Sequence, residues 1–133
     1  MTLKVGVSIG ELLDKITILE IKFERIKEAE KLHNVRKELD LLRSIWETSP
    51  LDETMVARQV RELKRVNENL WDIEDRIRQK EAAETFDDEF IELARSVYKI
   101  NDERAALKRD VNRILASDLV EEKSYPNYSP PTP

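Results

Sequence analysis

Apolar residues recur at alternating steps of three and four along most of the chain. One series runs from Ile9 to Ile26, and the last runs from Phe86 to Ile114 with Arg104 as its single non-apolar member. Such spacing places the apolar side chains on one face of an α-helix, as in coiled coils. The pattern therefore predicts long helices that must bury these faces against one another.

The punctuation of the pattern predicts where the helices begin and end. Ser8 and Glu11 match a capping box, in which the serine accepts from the helix N-terminus and the glutamate reaches back. Pro50 disfavours helix at the residue before it, and the second helix is expected to end there. An interruption of the apolar series favours a break at 32–34. The predicted helices span residues 9–32, 34–48, 52–83 and 87–116.

The two ends of the chain differ from this helical middle. Residues 1–7 alternate apolar and polar side chains, which predicts a short extended arm. Four of the five prolines lie at or after Pro126, so a flexible, proline-rich tail is expected over 117–133. Residues 1–116 are expected to form a single all-α domain, an antiparallel bundle of three to four long helices with coiled-coil-like packing.

Composition excludes several classes of site. The 133 residues include two glycines, one histidine (His33) and no cysteine. This composition excludes glycine-rich phosphate loops, thiolate catalysis, disulfides and zinc bound by cysteine. The net charge of −5 repels phosphate backbones, so no nucleic-acid partner is expected.

Hydropathy argues against a membrane partner. The apolar runs are a few residues long, as in 16–19, and do not approach the about 20 residues of a membrane span. The first seven residues lack the apolar core of a signal peptide. We therefore expect no membrane partner and a cytoplasmic location.

More apolar residues are present than the main series require. A thin bundle leaves such a surplus exposed, which predicts an interface, most simply that of a homodimer. The alternative is a compact monomer in which the same residues broaden each apolar stripe. The surplus residues are Leu13, Ile18, Ile21, Leu41, Ile45, Trp71, Ile91 and Tyr98.

Arg104 interrupts an otherwise apolar series. A buried arginine must meet a carboxylate or reach solvent, because an unpaired buried charge is costly. Asn101 and Lys108 lie on the same helix face, so one interpretation is an anion-binding pocket. The other interpretation is structural: Arg104 lies at the edge of the bundle or makes an ion pair that fixes helix register.

Acidic pairs at i,i+3 spacing are the remaining candidates. Glu11 with Asp14, and Glu89 with Glu92, could hold Mg²⁺ if they faced one another. Acids near helix N-termini also stabilise the helix dipole, and this second interpretation is favoured. No metal site is predicted, and no cofactor is identified.

Four segments carry a family resemblance: GELLDKITILEIK at 10–22, WDIEDRIR at 71–78, ARSVYKINDERA at 94–105 and EEKSY at 121–125. They resemble a family of short all-α bacterial and phage proteins, catalogued as a domain of unknown function. The resemblance covers nearly the whole chain and transfers no active-site residue. Some members of that family lie near genes for glycosyltransferases or surface polysaccharides, which implies an association with such pathways.

Two functions remain open on this basis. The first is a non-enzymatic helical protein that acts by assembly or by docking a protein partner on its apolar surplus. The second is a small enzyme or an anion-binding protein for a nucleotide or sugar phosphate, and an enzyme is the less favoured interpretation. The candidate ligand-binding residues are Asn101, Arg104 and Lys108, with carboxylates from Glu11 or Asp14.

Overall fold

Four α-helices account for most of the computed structural model, which describes residues 1–128. A short 3₁₀ turn precedes the third helix, and no strand occurs in residues 1–128. The prediction of an all-α fold is confirmed. The helices are α1 (Ile9–Arg25), α2 (Ala29–Thr48), α3 (Ala57–Ala82) and α4 (Asp88–Ile114), and the 3₁₀ turn is Glu53–Val56.

The first helix is the centre of the fold. Helix α1 packs against α2, α3 and α4. Helix α2, by contrast, packs against α1 alone among the described α-helices. Helices α3 and α4 form a long hairpin, and α1 lies antiparallel to α4 because Gly10 meets Asn112 and Asp14 meets Arg104. The apolar core therefore lies around α1. The buried apolar residues are Leu13, Ile16, Leu19, Ile21, Val35, Leu39, Trp46, Val56, Leu63, Val66, Val111 and Leu115.

The break between the first two helices is not at 32–34, as predicted, but at 26–28. Ile26 and Glu28 both adopt extended backbone angles, and Leu32 already belongs to α2. Val35, Leu39 and Trp46 belong to the core around α1, and one uninterrupted helix α2 carries all three. Neither glycine nor proline marks the true break, and His33 lies exposed within α2.

The start of α1 matches half of the predicted capping box. The Ser8 hydroxyl accepts a hydrogen bond from the Glu11 backbone N–H at 3.1 Å. The Glu11 carboxylate, however, does not reach back to the cap but accepts from Lys108 at 2.6 Å. A charged partner on α4 replaces the local backbone donor, since hydrogen bonds between charged groups are the stronger ones.

The turn between α3 and α4 is held by charge and strained at one residue. Asp87 caps α4 by accepting from the Phe90 N–H at 2.9 Å, and buried Lys80 donates to both Asp87 oxygens. Hydrogen bonds from Lys80 and then from the Phe90 N–H lower the pKa of Asp87. Glu84 has a φ of 54°, in the left-handed region that favours glycine.

Both ends of the described chain lie outside the helices. Residues 1–7 have no regular secondary structure, and their apolar side chains are exposed. The predicted tail, 117–133, is described as far as residue 128. Residues 117–128 have no helix or strand, as predicted, but they contact α4. Residues 129–133 lie outside the described part of the chain. None of the four helices is both long enough and apolar enough to cross a membrane.

Candidate functional site

A fully buried carboxylate lies where α1, α3 and α4 meet. Asp14 has no solvent exposure, and the Arg104 guanidinium donates to both of its oxygens through Nε and Nη2. The Asn67 amide donates to Asp14 Oδ1 at 2.9 Å and to Thr17 Oγ1 at 3.0 Å. Thr17 in turn donates to the Asp14 carbonyl oxygen at 2.7 Å. We call Asp14, Thr17, Asn67 and Arg104 the polar centre.

The polar centre is internally satisfied. No buried side-chain polar atom in residues 1–128 lacks a hydrogen-bond partner. The hydrogen bonds to Asp14 outweigh burial and raise the pKa of Arg104. A buried charge is tolerated when it is both paired and hydrogen-bonded, and Asp14 meets both conditions.

A second charged cluster lies one turn of α4 beyond the polar centre. Lys108 donates to Glu11 at 2.6 Å and to Glu121 at 2.8 Å, so it joins α1 to the segment that follows α4. Burial alone would lower the pKa of Lys108, but hydrogen bonds to the two glutamates outweigh burial and raise it. Lys108 first and Lys123 second lower the pKa of Glu121 to about 2.

Gly10 allows α1 to approach α4 closely enough to make these pairs. Its N–H donates to Asn112 Oδ1 at 2.7 Å. A Cβ at this position would lie 2.4 Å from the Lys108 carbonyl oxygen, which is closer than real contacts permit. The missing side chain therefore sets the distance from which Glu11 and Asp14 reach Lys108 and Arg104.

A groove of about 620 Å³ lies beside the polar centre, between α4 and the C-terminal segment. Tyr98 on α4 packs edge-to-face against Tyr128, with ring centroids 5.0 Å apart. Tyr128 also donates its hydroxyl to Asp102 at 2.7 Å. We call this cavity the tyrosine groove. Its lining includes Tyr98, Tyr125 and Tyr128 together with Asn101, Asp102, Arg104, Lys108 and Lys123.

The structure brings the five predicted site residues together. Asp14 pairs with Arg104 and Glu11 pairs with Lys108, while Asn101 lines the tyrosine groove beside both cations. Arg104 and Lys108 therefore bind Asp14 and Glu11, the two carboxylates that the sequence analysis names as further candidates for ligand contacts. This geometry matches the structural interpretation of Arg104, an ion pair that fixes the register of α1 against α4.

Sequence reasoning missed the remaining members of the site. Asn67 lies beside the apolar series of α3, where a single polar residue gave no signal. Glu121, Tyr125 and Tyr128 follow α4 in a segment without periodicity, which was expected to be a flexible tail. The proximity of this segment to α4 depends on tertiary contacts that no local pattern encodes.

The two acidic pairs do not face one another. Glu89 accepts from Arg76 at 2.8 Å and lies 3.2 Å from Lys80, and Glu92 pairs with Arg95. These contacts lie near the start of α4, about 28 Å along the helix from Lys108 and its partner Glu11. Within residues 1–128 no group of three or more histidine or acidic side chains could hold a metal ion.

A described protein family matches this chain along nearly its whole length. No curated protein and no solved structure matches the chain significantly. The model of one protein family matches residues 3–133, which is nearly the whole chain and includes the helices, the polar centre and the segment that lines the tyrosine groove. The chain therefore belongs to that family, which is described as a family of unknown function, DUF6165.

Proposed function

We propose that this chain is a non-enzymatic helical assembly protein that pairs with a second copy of itself. The pairing surface is the outer half of the α3–α4 hairpin, residues 71–82 and 86–96, which we call the distal hairpin. One observation carries the proposal: the apolar series of both helices continues into the distal hairpin, where α1 reaches only the first turn through Arg25, which contacts Trp71 and Asp72.

Helix lengths explain why this half is uncovered. Helix α1 has 17 residues, about 26 Å, whereas α3 and α4 have 26 and 27 residues, about 40 Å each. The structure describes every residue between Asn67 and Lys108, and among them Lys80 alone is buried. The two helices alone leave part of their apolar faces in water, and a further helical surface packed here would bury it. The apolar side chains of the distal hairpin are at best half-buried. The half-buried ones are Ile73, Ile77, Phe90 and Leu93, and the exposed ones are Phe86 and Ile91.

Charge order along α4 supports a second copy as the partner. The helix carries Asp88 at its start and Lys99 three turns later, while Glu89 and Glu92 between them already pair with Arg76, Lys80 and Arg95 of the same chain. Two copies whose two-fold axis is perpendicular to α4 pair antiparallel, so Asp88 of one copy faces Lys99 of the other. Complementary charges of this kind favour self-pairing and fix its register.

The mass of the chain in solution tests the proposal. We expect sedimentation at micromolar concentration to give twice the 15.6 kDa of one chain. Ile91→Lys should shift the mass to that of the monomer, because a charge would enter the apolar interface. Ile91 is 52% exposed, so the substitution leaves the fold of one chain intact.

Leu41→Lys is the matched control. Leu41 has a similar exposure of 48% but lies on α2, away from the distal hairpin. The control variant should retain the dimer mass. A monomeric wild-type protein, or a dimer lost through Leu41→Lys and kept in Ile91→Lys, would contradict the proposal.

Anion binding or catalysis at Arg104 and Lys108 is the second function that the sequence allows. Both cations already hold carboxylates, which argues against a free anion site. Thermal unfolding with a nucleotide or a sugar phosphate discriminates between the two functions. Assembly alone predicts no shift in Tm, whereas an anion site predicts a rise in Tm that grows with ligand concentration.

A further inference from the structure

We propose that the tyrosine groove binds an uncharged ring compound that carries hydroxyl groups, the chemistry shared by free saccharides and nucleosides. This inference does not depend on pairing through the distal hairpin, because no residue that lines the groove belongs to the distal hairpin. It rests on the size of the groove, on its aromatic rings, on the pairing of its charges and on its uncommitted polar atoms.

Size and aromatic lining suit a ring-shaped ligand. The cavity of about 620 Å³ lies within the usual range of small-molecule sites. Tyr98 and Tyr128 hold each other edge-to-face, which fixes two rings before any ligand arrives. Tyr125 is 73% exposed, so its ring is available to stack on a ligand. Tyrosine offers a large, rigid contact surface at low entropic cost.

The charges of the groove favour a neutral ligand. Arg104 pairs with Asp14, Lys108 with Glu11, and Lys123 with Glu121, which also accepts from Lys108. A further carboxylate, Asp102, lines the groove itself. Three cations are thus balanced against four carboxylates, so a phosphate group would gain no unpaired cation and would meet repulsion.

The polar atoms that remain are suited to hydroxyl groups. The Asn101 amide offers both donors and an acceptor, and Asp102 accepts from Tyr128 with one of its two oxygens. Arg104 binds Asp14 through Nε and Nη2, which leaves Nη1 outside this pair of bonds. A hydroxyl both donates and accepts, and a ring bearing several of them can satisfy such mixed donors and acceptors.

The C-terminal segment completes the site. Lys123, Tyr125 and Tyr128 form one wall, and this wall is attached to α4 through Glu121 and through the Tyr128 hydroxyl. A ligand that contacts both walls binds only when the segment is docked. Ligand binding therefore stabilises the docked segment, and undocking weakens the affinity.

Titration of the isotope-labelled full chain by NMR tests the inference. The neutral probes are methyl glucoside, N-acetylglucosamine, uridine and adenosine, and the charged probes are glucose 6-phosphate, N-acetylglucosamine 6-phosphate, UMP and AMP. We expect at least one neutral probe to shift the backbone signals of Tyr98, Asn101 and Tyr125. Its phosphorylated counterpart should bind at least tenfold more weakly. The sugar and nucleoside arms identify which source of the shared chemistry is bound.

Variants of the exposed tyrosine make the test specific. Tyr125→Ala should weaken binding of the responding probe at least tenfold, and Tyr125→Phe should restore most of it because the ring is retained. Val120→Ala, a change in the same segment but outside the groove, should bind like the wild-type chain. Absence of shifts with all neutral probes, tighter binding of the phosphorylated forms, or unchanged affinity in Tyr125→Ala would each overturn the inference.

Discussion

Arg104 on α4 donates to both carboxylate oxygens of Asp14 on α1, across a separation of 90 residues in sequence. The carboxylate is fully buried, whereas the side chain of Arg104 is 28% exposed. Arg104 therefore neutralises a charge in the interior while it remains at the edge of the tyrosine groove. The pair joins α1 to α4 in the same register that brings Glu11 to Lys108 and Gly10 to Asn112.

Removing Arg104 should destabilise the fold. Arg104→Ala leaves the Asp14 carboxylate buried without its cation, and loss of one partner of such a pair costs about 3 kcal/mol. We expect this decrease in the free energy of unfolding in urea denaturation. The double variant Asp14→Leu with Arg104→Leu should recover more than half of the loss, since no charge is then buried.

Arg78→Ala is the control for that experiment. Arg78 pairs with Glu74 at the surface, with 77% of its side chain exposed, and such pairs contribute little. Its removal should leave the urea midpoint almost unchanged. If Arg104→Ala were as mild as Arg78→Ala, the proposed register-fixing role of Arg104 would be wrong.

Alanine should be harmful at Gly10 and harmless at Gly6. Helix propensity alone predicts that Gly10→Ala stabilises α1 by about 1 kcal/mol. The added Cβ would instead lie 2.4 Å from the Lys108 carbonyl oxygen, and overpacking of this kind costs about 1–3 kcal/mol. At Gly6 the nearest atom is a side-chain carbon of Leu119 at 3.7 Å, an ordinary contact. Thermal unfolding of both variants should show a lowered Tm for Gly10→Ala alone.

The turn between α3 and α4 offers a stabilising substitution. Glu84 has a φ of 54°, which costs an L-residue about 1 kcal/mol or more and costs glycine little. Glu84→Gly should therefore raise the free energy of unfolding by up to about 1 kcal/mol. Ala83→Gly, one residue earlier at a φ of −86°, should instead lower the free energy of unfolding. Glycine relieves no strain there and adds conformational entropy to the unfolded chain. The opposite signs of these two neighbours in urea denaturation check the assigned backbone angles.

Acid should release the C-terminal segment from α4. Lys108 and then Lys123 lower the pKa of Glu121 from its ordinary 4.5 to about 2. A lowered pKa in the docked state means that the carboxylate stabilises docking fully above pH 4.5 and loses this effect as the pH falls toward 2. The NMR signals of Tyr128 should shift toward those of an undocked segment over this range.

Glu121→Gln separates this effect from the titration of other carboxylates. Glutamine carries no negative charge opposite Lys108, so the segment of this variant should be less firmly docked at neutral pH. Its docking should also depend less on pH between 4.5 and 2 than docking of the wild-type segment does. Equal acid profiles for the two proteins would show that Glu121 does not control docking.

The helices were predictable because their cause is local. Apolar spacing identified every long helix, and Ser8 marked the start of α1 through the hydroxyl that accepts from Glu11. The turn at 26–28 escaped prediction because neither glycine nor proline marks it. It depends on how Val35 and Leu39 of α2 pack back against α1, which is a tertiary requirement.

The site was predictable only as a set of residues. Arg104 was conspicuous because it interrupts an apolar series, and Asn101 and Lys108 followed from the helix period. Their partners could not be assigned from a single sequence, since any of many carboxylates could have faced them. The tyrosine wall was unpredictable for a further reason: Tyr125 and Tyr128 lie in a segment whose position depends on ion pairs with α4.

The long sequence separation of the polar centre has a consequence for synthesis. Asp14 needs Arg104, Gly10 needs Asn112 and Glu11 needs Lys108, at separations of 90, 102 and 97 residues. On the ribosome, α1 is therefore made long before any of these partners exists. Until α4 has left the exit tunnel, α1 can pack only on its neighbour α2 and on α3, with the Asp14 carboxylate still without its cation. The native packing of α1 therefore waits until α4 has emerged from the ribosome.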